Sequence, residues 1–394
     1  MTGAGGGDRL LRRRGGDADP HRPAPIELFF DLVFVFAFIQ ISHLLLEHLD
    51  ARGVAETAVL LAAVWWAWLT TTWLTSWFDP RHVLIGLLLI GTMLVSLVMS
   101  MAIPEAFGEQ ALTFAIAYVV IQLGRSVILL AALGRGHPLK VTFRRVLGWA
   151  SVGAVFWIAG ALVGGNARLG LWALAVLVDN IPPFFGFRFP GLGRSSSREW
   201  AIEGSHFAER CQLLVIVGLG ESILVIGAST VRADVTAGTV TAFVLAFLTS
   251  VTLWWLYFAN SAEAGAMALA RAEDPGRLAL SYDHYHLIMI AGIITTAVGD
   301  ELVISHPGAA VTWAESATLV GGPLLYLIGN NLLNRSLTGR MPPSRNVSVG
   351  VLAVLILLTP FGPPSLLLAA LTAAVLVATA AAEVVVVRRA RAAG

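Results

Sequence analysis

Runs of about twenty consecutive apolar residues recur from position 26 almost to the C-terminus, and no other feature restricts the fold so tightly. A helix rises about 1.5 Å per residue, so roughly twenty residues cross a hydrocarbon core about 30 Å thick. Twelve such runs are readable, at 26–48, 54–78, 83–104, 110–134, 145–164, 167–187, 206–230, 236–259, 283–303, 310–331, 346–361 and 364–387. Inside lipid every backbone N–H and C=O must find a partner within the protein, and runs of this length do so as helices. Composition agrees, since 57% of the 394 residues are hydrophobic and only 13% are charged, against roughly 25% charged in a soluble domain. The expected fold is all-α, a polytopic transmembrane helical bundle of about twelve helices, with the lipid bilayer as its partner.

Charge narrows the function classes. With 26 Lys+Arg against 25 Asp+Glu the net charge is +1, so the chain carries no basic footprint for nucleic acid. Lys and Arg are retained on the cytoplasmic side of a membrane. With the N-terminus inside, twenty-one basic residues fall in inner segments and only Arg52, Arg168 and Arg232 in outer loops, while Arg125 and Arg210 lie within spans. The expected location is the bacterial cytoplasmic (inner) membrane with both termini cytoplasmic. Residues 1–25, rich in Gly, Arg, Asp and Pro, read as a disordered tail. Arg12, Arg13 and Arg14 lack the apolar segment that a twin-arginine signal needs after them. A single cysteine, Cys211, excludes an internal disulfide and thiolate-rich metal sites, and no cofactor is expected.

The chain also shows internal similarity. Glu27 to Val35 opens the first run with an acid at its inner end, and Glu209 to Val217 does the same in the seventh. About one span later come Trp65-Trp66-Ala67-Trp68 and Trp254-Trp255-Leu256-Tyr257, then His82 and His286 open or approach the next span. The expected organisation is a tail over 1–25, a six-helix repeat over 26–187, a linker over 188–205, a second repeat over 206–387 and a tail over 388–394. An even number of spans per repeat makes the two run in the same direction. Chance likeness between apolar helices is the competing explanation.

Ionisable side chains inside a bilayer cost at least about 2.5–3.5 kcal/mol each and therefore face the bundle interior, a cavity or one another. On the seventh run His206, Arg210 and Glu221 share one face at 100° per residue, with Glu209 about 60° to the other side. Glu221 stands about 22 Å along the axis from His206, so the stripe crosses the membrane. Glu27 and Asp31, four apart, share a face of the first run, while Gln40 and His43 lie deeper on other faces. Asp31 is the natural counter-ion of Arg210, although a purely structural network would use the same residues. Arg125, Asp179, Asp283, His284, His286, Asp300, Glu301 and Glu315 are further polar positions. Asp283, His284, Asp300, Glu301 and Glu315 read as water-facing helix ends.

Three segments, ELFFDLVFVFAFIQISHLL at 27–45, HFAER at 206–210 with LGES at 219–222, and YDHYHLIMIAG at 282–292, resemble the bacterial low-temperature-requirement protein A family. The likeness extends over essentially all twelve runs. It implies a polytopic inner-membrane protein linked by name to growth in the cold, and it carries over as motif residues Glu27, Asp31, His43, His206, Glu209, Arg210, Glu221 and Ser222. It supplies no substrate.

The residues favour a transporter or ion pathway, with a small solute or a proton as cargo. Glu221 would bind the proton or cation, and Asp31, Glu209 and Arg210 would couple the halves. His206 would titrate near neutral pH, and His286 would add a further polar group on the pathway. The alternative is a membrane-embedded enzyme acting on lipid or a lipid-linked substrate, with His206, Glu209 and His286 as metal ligands or acid-base groups, but HExxH, GxSxG and phosphate-binding glycine loops are all missing from the sequence. A sensor of bilayer state is a third reading, weakened by the shortness of every loop.

Overall fold

A computed structural model describes residues 23–134, 136–137, 139–197, 203–259 and 261–392. Most of the expected N-terminal tail, positions 198–202 of the expected linker and the last two residues lie outside that set. Among the described residues the chain is helical, with short 3-10 turns and two isolated bridges. Ten segments are long and apolar enough to cross a membrane, which makes the chain a multi-pass membrane protein.

The helices in chain order are α1 (Pro25–Glu47), α2 (Ala51–Trp77), α3 (Val83–Met101), α4 (Ala111–Ala132), α5 (Leu139–Leu162), α6 (Gly165–Asn180), α7 (Gly204–Arg232), α8 (Ala237–Phe258), α9 (Ser261–Arg271), α10 (Pro275–Ser305), α11 (Trp313–Leu319), α12 (Gly321–Thr338), α13 (Pro343–Ile356) and α14 (Ser365–Ala392). Each of the twelve apolar runs meets a helix. Three differ in shape from the expectation. The sixth run forms only a 16-residue helix and then a 3-10 turn, Pro182–Phe185, because two successive prolines withdraw backbone donors. The tenth run breaks into α11 and α12 around Val320. The ninth starts eight residues earlier than expected, at Pro275, so Asp283, His284 and His286 lie within α10 and not at its end. Helix α9 was read as loop.

Local chemistry fixes several ends. The His82 Nδ1 accepts from the Leu84 N–H at the start of α3, and the Thr236 hydroxyl accepts from Thr239 N–H at the start of α8. Thr312 and Glu315 form a capping box on α11, so Glu315 works as a helix cap. Gly339 ends α12 in the left-handed conformation, φ 72°.

The chain divides into two compact units, the first comprising Met1–Leu44, Ala51–Leu213 and Leu269–Leu280, the second Leu45–Asp50, Leu214–Ala268 and Ser281–Gly394. In the first, α4 packs on α3 and α5, α5 on α6, and α6 on α2. From Ala63 to Ser76, α2 is buried on every side, as an all-round apolar helix must be. Trp157 and Trp172 pack in a tilted arrangement, 48° between planes and 5.3 Å between centroids, with Phe114 and Tyr118 against Trp157. In the second unit, α14 packs on α8 and α13, and α12 on α13. Here α10 touches α11 and α12 backbone to backbone. A Cβ at Gly292 would meet Tyr326 N at 2.5 Å, one at Gly299 Leu319 Cα at 2.6 Å, and one at Gly322 Thr296 N at 2.5 Å. Small residues permit such approach where lipid gives no hydrophobic drive between helices.

Gly322→Ala should therefore destabilise the protein by about 1–3 kcal/mol through overpacking against backbone that has no free space. Gly350→Ala, whose Cβ meets nothing within 4 Å, should be neutral or slightly stabilising. Thermal unfolding of the two variants in detergent, side by side, measures the difference.

Candidate functional site

The N-terminal turn of α1 carries Glu27 and, one helical turn on, Asp31, so both carboxylates project from one face. The start of α7 carries His206 and Arg210 with the same spacing. Within the first unit these four side chains meet, each with essentially no exposure. Arg210 holds Asp31 with two parallel bonds, Nε to Oδ2 at 2.9 Å and Nη2 to Oδ1 at 2.5 Å. Its Nη1 donates to Glu27 Oε1 at 3.0 Å and to the Thr75 hydroxyl at 3.3 Å. The bidentate fork suits a planar guanidinium, and a charge-assisted pair of this kind is the strong class of hydrogen bond. The second unit's α13 and α14 repeat the device, as described below.

Neighbouring groups complete the set. Trp68 Nε1 on α2 donates to Asp31 Oδ1 at 2.7 Å, and the Ala24 N–H donates to Glu27 Oε2 at 2.8 Å. His206 places Nε2 3.1 Å from Glu27 Oε1 and Nδ1 3.5 Å from the Ser76 hydroxyl. The Arg210 guanidinium carbon also lies 5.8 Å from the Phe30 ring centre. Two carboxylates face one permanent cation, so one added proton, on His206 or shared with Glu27, brings the cluster to neutrality.

The pairing of Asp31 with Arg210 expected from the sequence is present, and Glu27 and His206 join it. Other expected site residues do not. Glu209 is half-buried, and the Arg210 bonds among the described residues go to Asp31, Glu27 and Thr75. His43 is exposed on α1, sixteen positions beyond Glu27 and about 24 Å along the axis.

Glu221, Ser222 and His286 belong to the second unit. Glu221 is buried, and neither carboxylate oxygen has a hydrogen-bond partner among the described residues. Its charged neighbour is Glu301, another acid. The Ser222 hydroxyl reaches only the Gly218 carbonyl, at 3.5 Å. His286 is fully used. Its Nδ1 lies 2.7 Å from the Tyr282 carbonyl, which can only accept, so Nδ1 carries the hydrogen and Nε2 accepts from the Tyr257 hydroxyl at 2.8 Å.

Asp283 and Asp300 are buried, against the expectation of water-facing ends, because α10 runs far enough in both directions to carry them inside. Asp283 pairs with its neighbour His284. Asp300 leaves Oδ2 unpartnered beside a cavity of about 10 Å³ that Thr249 and Thr372 also line.

Sequence reasoning missed a second buried arginine. Arg345 is among the basic residues expected in inner segments, just before the apolar run at 346–361, yet it is fully buried on α13. Its Nε and Nη2 hold Glu383 of α14 at 2.5 and 2.9 Å, and Nη1 donates to Asn330 Oδ1 at 2.5 Å. Ser261 and Asn334 close the ring through Asn330. The one available signal was Glu383 itself, an acid inside the last apolar run. Arg168, read as an outer-loop charge, is likewise buried in the first turn of α6, donating to the Gly160, Val163 and Gly108 carbonyls.

Removing one partner of a buried ion pair strands the other. Arg210→Gln should cost about 3–5 kcal/mol of stability. The triple variant Glu27→Gln, Asp31→Asn, Arg210→Gln should cost less than Arg210→Gln alone, since no charge is left unpaired. Unfolding midpoints of both in detergent test this; a triple variant weaker than the single would contradict it.

A family model described as bacterial low temperature requirement A protein (LtrA) matches residues 22–381. An uncharacterized protein of Rhizobium meliloti (strain 1021) is 36% identical over 340 residues, which cover 85% of this chain and 82% of that protein. No solved structure matches the chain. With the family pattern spanning nearly every helix described above, the chain belongs to the LtrA family.

Proposed function

We propose that this protein is a proton- or cation-coupled carrier of the bacterial cytoplasmic membrane, with both termini cytoplasmic and two same-direction repeats of six helices. The observation that supports it most is Glu221. An acid buried in a spanning helix with both oxygens unpartnered is costly unless it holds an exchangeable ligand, and a proton or a small cation is the ligand that a lone carboxylate takes. Glu301 beside it and the unpartnered oxygen of Asp300 on the same helix α10 supply further acidic stations in that unit.

The first-unit cluster fits the same reading. Glu27, Asp31, Arg210 and His206 form a network one proton short of neutrality, with an imidazole placed to hold that proton. In this proposal the network responds to protonation, while Glu221 carries the ion. Glu209, Ser222, His43 and His286 are assigned to the pathway on the sequence pattern.

The test compares intracellular, extracellular and lipid profiles of a deletion strain complemented by wild type or Glu221→Gln, at normal and reduced temperature. The expected result is a soluble compound shifted across the membrane by deletion, restored by wild type and not by Glu221→Gln at equal membrane abundance. Full restoration by Glu221→Gln overturns the role of Glu221. An altered lipid species with unchanged solutes overturns the carrier reading in favour of an enzyme acting on lipid.

A further inference from the structure

Five arginines are buried within the described helices, and their partners differ: Arg145 and Arg168 donate to backbone carbonyls. Arg210 and Arg345 each grip a carboxylate at 2.5–3.0 Å. Arg125, on α4 and equally buried, gives Nη1 to the Thr71 hydroxyl at 3.0 Å and Nη2 to Gln122 Oε1 at 2.6 Å, both neutral acceptors. The nearest acid across the small chamber behind it, Asp179, spends Oδ2 on Tyr118 and Trp157 and forms no ion pair with Arg125 among the described residues. A guanidinium offers five N–H donors and stays charged at any physiological pH. Among the described residues Arg125 therefore forms no ion pair of the kind that Arg210 and Arg345 form, and with Asp179 acting on it only across the chamber, its charge is open to an added anion.

The space beside it indicates what that anion is. Between α3 and α4 runs a groove of about 320 Å³, and among the described residues Arg125 is the one charged group on its wall. Its volume falls in the range of about 300–1,000 Å³ usual for ligand sites. Leu87 and Val95 of α3 and Val120 and Ile128 of α4 make it apolar. Two glycines keep it open, since a Cβ built at Gly91 or at Gly124 meets nothing within 4 Å. Leu87, Val120 and Ile128 are exposed at its rim, on a surface that in a membrane faces acyl chains. Apolar walls exclude a hydrated inorganic ion, so the counter-ion must arrive attached to a hydrocarbon chain. Arg125 lies seven residues from the end of α4, about 10 Å inside the helix. A single small carboxylate on one chain reaches that depth with one charge to desolvate, and it matches the guanidinium fork. A second copy of the chain docked symmetrically in the groove would bring two unpaired arginines together.

We propose that the α3–α4 groove binds a long-chain carboxylate, with its hydrocarbon chain between Gly91 and Gly124 and its carboxylate on Arg125. The site is independent of Glu221 and of the carrier reading.

The test uses the full-length protein in phosphatidylcholine nanodiscs and measures binding of radiolabelled oleate. Wild type should bind oleate saturably, near one per chain, with competition by unlabelled oleate and at least tenfold weaker competition by oleyl alcohol. Arg125→Gln should weaken binding at least tenfold. A Cβ at Gly91 or Gly124 meets nothing within 4 Å, so Gly91→Leu and Gly124→Leu should each abolish binding while leaving the unfolding midpoint close to wild type. Should Arg125→Gln fail to fold, Arg125→Lys keeps the charge without the fork and should bind with intermediate affinity. Unchanged oleate binding in the well-folded Gly91→Leu and Gly124→Leu proteins overturns the site. Equal competition by oleyl alcohol overturns the role of Arg125. Phosphatidylglycerol competing as well as oleate, or a wild-type dimer that Gly91→Leu disrupts without any oleate binding, overturns the choice of occupant.

Discussion

A guanidinium keeps its proton, so a helix that carries one into hydrocarbon must meet an acid or a set of backbone carbonyls at the same depth or bear a penalty of about 3 kcal/mol or more. The architecture is organised around that requirement. In the first unit Arg210 of α7 grips Asp31 and Glu27 of α1, and in the second Arg345 of α13 grips Glu383 of α14. Each pair sets the rotation and axial offset of two helices together, because a two-bond fork tolerates little sliding. Neutral donors and acceptors then absorb what the ion pair leaves over: Trp68 and Thr75 around Arg210, Asn330, Ser261 and the Leu256 carbonyl around Arg345. Such pairs are weak sources of net stability and strong sources of register, since a misplaced helix strands a charge.

Against these saturated clusters stand the groups left open. Glu221 and Asp300 keep unpartnered oxygens, and Arg125 has only neutral acceptors. Arg145 and Arg168 are satisfied by backbone carbonyls, so an open charge marks an exchangeable partner only where oxygens stay unpartnered or a groove lies beside it, as at Glu221 and Arg125. That contrast supports the carrier reading at Glu221 and the carboxylate groove at Arg125. Packing supplies the rigid frame for both. Helix α2 is buried from Ala63 to Ser76 and α10 approaches α11 and α12 through glycines, whereas Gly91 and Gly124 line the groove with open space where a Cβ would stand.

Much of this was readable before any coordinates. Asp31 and Arg210 were legible as partners because each sits with a second polar residue one turn away on an otherwise apolar helix, Glu27 with Asp31 and His206 with Arg210. Arg345 was not, because the apolar run begins only at 346 and the positive-inside pattern puts Arg345 in the loop before it, whereas α13 starts at Pro343. Asp283 and Asp300 were misread for a related reason: the hydropathy of 283–303 underestimates α10, whose polar first turns extend to Pro275 and bury groups that a shorter helix would leave at the surface. Helix α9 escaped notice because Ser261–Arg271 is too polar to register as a span and follows α8 after a single intervening pair of residues.

The sequence by itself determined that the chain is a membrane-embedded helical protein, roughly where each helix lies, and which charges must be buried. Hydrocarbon thickness dictates run length, and the cost of an ion in lipid makes every interior charge conspicuous. Only the tertiary structure decided which charge meets which, which ones remain unmatched, and where a groove stays open. Each residue turns a helix by about 100°, so a shift of one position in a helix start, or a small rotation against a neighbour, redirects every side chain on it. Partner choice is therefore settled by the packing of whole helices and not by any local run of residues.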